Sequence, residues 1–141
     1  MYQYIGEYTG DLEGLERALS TVSYGEAVSG YGASSWPQDQ QIKDIAQPYL
    51  KDILPTEWLF TMLTVIHPDG ILTPHLDGAT REGYLRYHLV LKTNDLCWNF
   101  HDGSWQHMPK GSIWTIDPAL IHASVNWGLE DRIHLVMDVK L

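Results

Sequence analysis

The hydrophobic pattern changes period near residue 57. Upstream, Leu12, Leu15 and Leu19 recur at the spacing of one helical face. Asp11 stands where an N-cap accepts a backbone hydrogen bond, with Glu13 in the first turn, where the helix dipole favours acid. A second helix is expected over 38–53, with Ile42, Ile45, Ala46, Tyr49 and Leu50 on one side. Pro48 falls inside that stretch and predicts a split or an end. Residues 1–9 read as a short edge strand. Residues 23–37 are rich in Gly and Ser and carry Tyr24, Tyr31 and Trp36. They read either as a disordered loop or as a lid whose aromatics face a ligand.

Downstream the chain alternates. Residues 58–66 form a β-branched, apolar run, and Pro68-Asp69-Gly70 is a turn signal expected to close it. Further strands are predicted over 84–92, 96–101, 111–116 and 132–141. His101-Asp102-Gly103-Ser104 and Pro109-Lys110-Gly111 read as hairpin connections. Strand side chains alternate faces, so Arg86, His88 and Val90 share one face and Leu85, Tyr87, Leu89 and Leu91 take the other. Likewise Arg132, His134, Val136 and Asp138 oppose Ile133, Leu135, Met137 and Val139. Each strand therefore has a complete apolar face and a polar face, the latter pointing to solvent or into a cavity. Helices followed by many short strands suggest an antiparallel sandwich or barrel with helices on one side.

Composition narrows the classes. A chain of 141 residues suits one domain, here 1–141, with 1–56 as helical support and lid and 57–141 as the β core. The formal charge of −9 argues against nucleic-acid and anionic-membrane partners, because phosphate binding draws on Lys and Arg. Cys97 is the single cysteine and reads as a small core residue, so no intrachain disulfide forms. No apolar run is long enough to span a membrane, and no signal peptide is evident, so a cytosolic protein is expected.

The chemistry concentrates between His75 and Arg132. His75 and Asp77 form an H-x-D pair between Pro74 and Gly78, a turn leaving a strand. Two histidines and one carboxylate are the facial triad that holds non-haem Fe(II) and leaves positions open for substrate and oxygen. H-x-D alone is also common on surface loops. The third ligand must come from six other histidines, and His122 follows a strand-to-turn passage able to return to the same cavity. His134 reads as a hydrogen-bonded core histidine or as support for the site. His67, His101 and His107 lie near turns and read as exposed. Asp117 and Asn126 suit orientation of the segment that carries His122.

The His75 turn, Arg86-Tyr87-His88-Leu89, the 105–111 passage, Ile116-Asp117, His122 with Asn126, and Arg132 ten residues after His122 occur together. This combination resembles the aspartyl/asparaginyl β-hydroxylase family of Fe(II)- and 2-oxoglutarate-dependent oxygenases, which includes bacterial proline hydroxylases. The resemblance covers residues 63–139. It implies a mainly β double-stranded β-helix, the cupin-like jelly roll, with the N-terminal helices packed on one sheet.

By position, the resemblance implies that His75, Asp77 and His122 bind iron. Arg132, with Thr64 eleven residues before His75, would hold the distal carboxylate of 2-oxoglutarate. His88 would contact the metal-proximal carboxylate, and Arg86 a carboxylate on the prime substrate. Mammalian aspartyl hydroxylase lacks the carboxylate ligand, whereas Asp77 supplies it here, as in the proline hydroxylases. The expectation is a dioxygenase using Fe(II), 2-oxoglutarate and O2 to hydroxylate a small carboxylate-bearing molecule or a short peptide segment. Two alternatives stand beside it. One is a cupin-like metalloenzyme without 2-oxoglutarate, which leaves Arg132 without a task. The other is a non-catalytic jelly-roll module for binding or sensing.

Overall fold

Why the chain folds around a cavity is visible in a computed structural model, which describes residues 2–21, 25–26, 30–36, 39–54 and 57–141. Strand β1 (Gln3–Glu7) leads to helix α1 (Leu12–Leu19). The Asp11 side chain accepts a hydrogen bond from the Gly14 amide at 3.0 Å, as an N-cap should. Strands β2 (Gly25–Glu26) and β3 (Gly30–Trp36) precede helix α2 (Asp39–Leu50). The helix runs two residues beyond Pro48, which removes one i→i−4 hydrogen bond, and it ends within that turn. Then follow β4 (Trp58–His75), β5 (Tyr84–Lys92), β6 (Cys97–His101), β7 (Ser104–Gln106), β8 (Ser112–Ile116), β9 (His122–Asn126) and β10 (Arg132–Lys140).

These strands form an antiparallel sheet ordered β1-β8-β5-β10-β4-β9-β6-β7, with β3 also on β4 and β2 on β3. The sheet curls so that β1-β8-β5-β10 and the first part of β4 make one wall. The end of β4 with β9, β6 and β7 makes the other. This is the jelly-roll architecture that the resemblance implied. One row of partners, Leu63–Leu135–Leu89–Ile113, crosses the first wall on its outer side. Leu15, Leu19, Ile42, Ala46 and Leu50 of the helices cover that row. Full burial of such a side chain contributes roughly 1.5–3 kcal/mol. Among the described residues no helix is long and apolar enough to cross a membrane.

Four expectations need correction. Residues 30–36 are not loop; they pair along β4 as β3. Tyr31 and Trp36 therefore sit in a strand, and Tyr24 lies outside the described residues. Pro68-Asp69-Gly70 does not close a strand. It is an irregularity inside β4, where Asp69 takes φ 64° and the pairing with β3 shifts between Tyr31 and Ala33. Gly70 is required there, since a Cβ would lie 2.3 Å from the Gly32 carbonyl oxygen. Pro109-Lys110-Gly111 is not a hairpin, because it carries the chain from β7 in one wall to β8 in the other. By contrast His101-Asp102-Gly103-Ser104 does close the β6–β7 hairpin, with φ 47° and 84° at its two central residues. Finally, β7 and β9 are strands that the pattern did not reveal.

The junction between the walls is pinned by Asn126, which is fully buried. Its amide donates to the Ile66 carbonyl at 2.8 Å and to the Glu130 carbonyl at 2.7 Å, while its oxygen accepts from Gly128. It thus ties the β9–β10 turn to β4 at the irregularity, fixing where His122 enters and Arg132 leaves.

Candidate active site

Register explains which side chains meet. His75 on β4 pairs with His122 on β9, so their rings lie 4.3 Å apart. His75 Nδ1 lies 2.6 Å from the Thr73 carbonyl and His122 Nδ1 2.8 Å from the Leu120 carbonyl. Each carbonyl takes the Nδ1 proton and turns Nε2 inward. Asp77 follows on a short loop whose amide donates to the Pro118 carbonyl at 2.9 Å. Its carboxylate lies 3.0 Å from His122 Nε2 and 3.6 Å from His75 Nε2. The three potential ligand atoms fall within 4.8 Å of one another. Asp117, exposed, accepts from the Ala119 amide at 2.9 Å and so shapes the turn before His122, as expected.

Electrostatics follow from this packing. The hydrogen bond from His122 holds the Asp77 carboxyl below the usual carboxylate range. Burial works against charge on His122, but its bonds to Asp77 and the Leu120 carbonyl outweigh that and raise its pKa. Below the raised pKa of His122, a proton in the ligand-free chain lies between donor atoms that could instead face a cation. Two imidazole nitrogens and a carboxylate oxygen suit Fe(II).

Arg132 occupies the inner end of the cavity and is only 3% exposed. Its guanidinium donates to Asn99 Oδ1 at 2.7 Å, Ser124 Oγ at 3.2 Å and Thr64 Oγ1 at 3.3 Å, all neutral oxygens. Burial pushes its pKa down to about 10. Among the described residues no carboxylate pairs with it, a costly state for a buried charge. A carboxylate-bearing ligand would satisfy it. The cavity's apolar lining comes from Met62, Leu72, Ile116 and Val136.

The polar face of β5 and β10 lines this cavity rather than facing solvent. Arg86 lies across from Asp138 in register, and Nε and Nη2 donate to its carboxylate at 2.7 and 3.1 Å. Its Nη1 reaches toward Asp77 at 3.5 Å. The side edge of the guanidinium is therefore committed to Asp138, and its end stays available at the cavity. His88 also lines the cavity, with Nδ1 3.1 Å from His134 Nδ1. Burial, then the charge of Arg132, lowers the pKa of both histidines well below the ordinary value.

All seven residues singled out from the sequence line one cavity: Thr64, His75, Asp77, Arg86, His88, His122 and Arg132. Of the remaining histidines and the cysteine, His101 and His107 depart from expectation, while His67 and Cys97 agree with it. His101, expected to be exposed, is buried against Tyr2 and opposite His122 in register. His107 is half-buried and bonded to the Cys97 carbonyl. His67 is exposed, beside Asp131, and Cys97 is a buried free thiol. Sequence reasoning gave no role to Asn99, Ser124, Asp138 and Tyr2. The first three alternate with His101, His122 and His134 on inward faces, so period two could have found them. Tyr2 carries no local signal.

Fold and donor set together define a double-stranded β-helix built around a two-histidine, one-carboxylate centre. The profile of the aspartyl/asparaginyl β-hydroxylase family matches residues 37–141, and the chain belongs to that family. It is 31% identical over 99 residues to L-proline cis-4-hydroxylase of Rhizobium meliloti (strain 1021), covering 66% of this chain and 35% of that one. It is 26% identical over 155 residues to L-proline cis-3-hydroxylase 1 of a Streptomyces species, covering 94% and 53%. The chain thus spans between a third and a little over half the length of these relatives. Its fold is similar to HygX from Streptomyces hygroscopicus, solved with nickel and 2-oxoglutarate bound. That match has a TM-score of 0.70 at 11% identity and covers 99% of this chain and 82% of the other.

Proposed function

We propose that this chain is an Fe(II)- and 2-oxoglutarate-dependent dioxygenase that hydroxylates a small carboxylate-bearing substrate, such as an amino acid or an amino-acid residue. The observation that carries the reading is one cavity holding both a convergent His75/Asp77/His122 set and a buried Arg132 that no carboxylate of the described residues pairs with. The proline hydroxylases among its relatives support the substrate class.

Bound iron, with 2-oxoglutarate and O2, would supply the oxidising power needed for an unactivated C–H bond. The protein's part is placement. His75, Asp77 and His122 would hold the metal through two imidazole nitrogens and a carboxylate oxygen. Arg132, steadied by Asn99, Ser124 and Thr64, takes the distal carboxylate of 2-oxoglutarate through its planar fork. His88 meets the metal-proximal carboxylate. Arg86, anchored to Asp138 by its side edge, offers its end to a carboxylate on the substrate. Met62, Leu72, Ile116 and Val136 exclude water between these poles.

The test is succinate formation by the Fe(II)-loaded chain with 2-oxoglutarate under air, across a panel of free amino acids beginning with L-proline. Succinate that depends on one of them, with a hydroxylated product, is the expected result. A folded, iron-loaded chain that forms no succinate with any member would contradict the reading.

A further inference from the structure

His134 is fully buried beside the cavity, and its Nε2 has no hydrogen-bond partner among the described residues. Its Nδ1 faces His88 Nδ1 at 3.1 Å, with the rings edge to face. Two facing ring nitrogens at that distance share one proton, so one donates and the other accepts. Both imidazoles are neutral, because burial and the nearby Arg132 charge disfavour a second proton.

Two tautomeric arrangements remain, and they differ at His134 Nε2. If His88 donated, His134 would carry its own proton on Nε2, leaving a buried N–H with nothing to accept it. If His134 donates from Nδ1, its Nε2 is a bare lone pair, and unpaired buried acceptors are better tolerated than unpaired donors. In the favoured arrangement His88 accepts at Nδ1 and carries its proton on Nε2, its remaining polar atom at the cavity wall.

We infer that His134 is a positioning residue that fixes the tautomer of His88, making His88 Nε2–H a permanent donor toward an anionic ligand in the cavity. A histidine free to switch would present a lone pair to a carboxylate part of the time and repel it. The strand explains the partnership. His134 and Val136 occupy successive inward positions on β10, and Val136 pairs with His88 across β5. Only the identity of the ligand rests on the 2-oxoglutarate reading; the tautomer itself does not.

The experiment is long-range proton–nitrogen correlation NMR on the metal-free full chain with 15N-labelled histidine, which separates the two neutral tautomers by their nitrogen shifts. His88 is expected as the Nε2–H form and His134 as the Nδ1–H form. His88 protonated on Nδ1, or a charged pair near neutral pH, would overturn the inference. In the iron-loaded chain, His134→Leu is expected to weaken 2-oxoglutarate binding about tenfold, the size of one hydrogen bond to a charged group, with Fe(II) affinity unchanged. His134→Asn, whose amide can still donate, should restore the Nε2–H form and most of the affinity. Equal loss of metal and 2-oxoglutarate binding in His134→Leu would show a merely structural role. The expected tautomers in a chain that binds no 2-oxoglutarate would overturn the proposed cosubstrate and leave the positioning role standing.

Discussion

The two faces of β5 and β10 are made by the same backbone and obey different physics. On the outer face Leu89, Leu91, Leu135, Met137 and Val139 meet the helices through non-directional apolar packing. On the inner face Arg86 meets Asp138, His88 meets His134, and Arg132 meets Asn99, Ser124 and Thr64, each at fixed atoms and distances. The outer face makes the domain stable. The inner face gains little stability, because each buried charge or ring must recover its desolvation cost through a particular partner. Arg132 shows this most clearly, as a buried cation whose hydrogen-bond partners among the described residues are neutral oxygens. Substitutions on the two faces should therefore separate stability from binding.

The largest effect on folding belongs to the outer face. Leu135→Ala should cost about 2–5 kcal/mol in denaturant unfolding of the ligand-free chain. The 2-oxoglutarate affinity of the folded fraction should not change. On the inner face, Asp138→Ala should cost about 3 kcal/mol, because it strands the buried Arg86 guanidinium. The double variant Arg86→Met/Asp138→Leu should return to within about 1 kcal/mol of the parent, since a buried pair is replaceable by apolar groups. It should remain unable to turn over substrate. A double variant as unstable as Asp138→Ala would blur the contrast between the faces.

Arg132→Met sharpens it. Loss of a charged hydrogen-bonding group should weaken 2-oxoglutarate binding by roughly 10- to 100-fold, about 1.5–3 kcal/mol. The ligand-free unfolding midpoint should move by less than about 4 °C, equivalent to about 1 kcal/mol. The smallest effect concerns pH. His122 is raised above its ordinary value, so its pairing with Asp77 stabilises the ligand-free chain at low pH. That contribution fades as pH rises through the raised pKa. If His122 is a metal ligand, Fe(II) displaces the same proton, and Fe(II) affinity should climb across that window above pH ~6.5. Calorimetry in buffers of different ionisation enthalpy should show proton release; release that does not vary with pH would contradict it.

The contrast between faces also explains which features are legible in the amino-acid sequence. Leu12, Leu15 and Leu19 and the alternation in β5 and β10 are legible because apolar burial writes a periodic signal. His75, Asp77 and Arg132 are legible as chemistry, and His122 through the family resemblance. Strand β9 is less legible, because its alternation spans only five residues, His122-Ala123-Ser124-Val125-Asn126, whose polar members read as loop although all five are buried. Pro68-Asp69-Gly70 misleads because an irregularity inside a strand uses the same residue types as a turn. His101 sits at a hairpin end, where exposure is the ordinary expectation, yet Tyr2 from ninety-nine residues away covers it. Contacts between residues so distant along the chain leave no local trace.

The most direct test of the central claim is anaerobic titration of the metal-free chain with Fe(II) and then 2-oxoglutarate, following the visible charge-transfer band of the chelate. The chain should develop the band, and both Asp77→Ala and His122→Ala should lose it while remaining folded. A band that persisted in either variant would remove that residue from the metal centre. Iron binding without any band in the parent chain would contradict the 2-oxoglutarate reading and favour a cupin-like metalloenzyme.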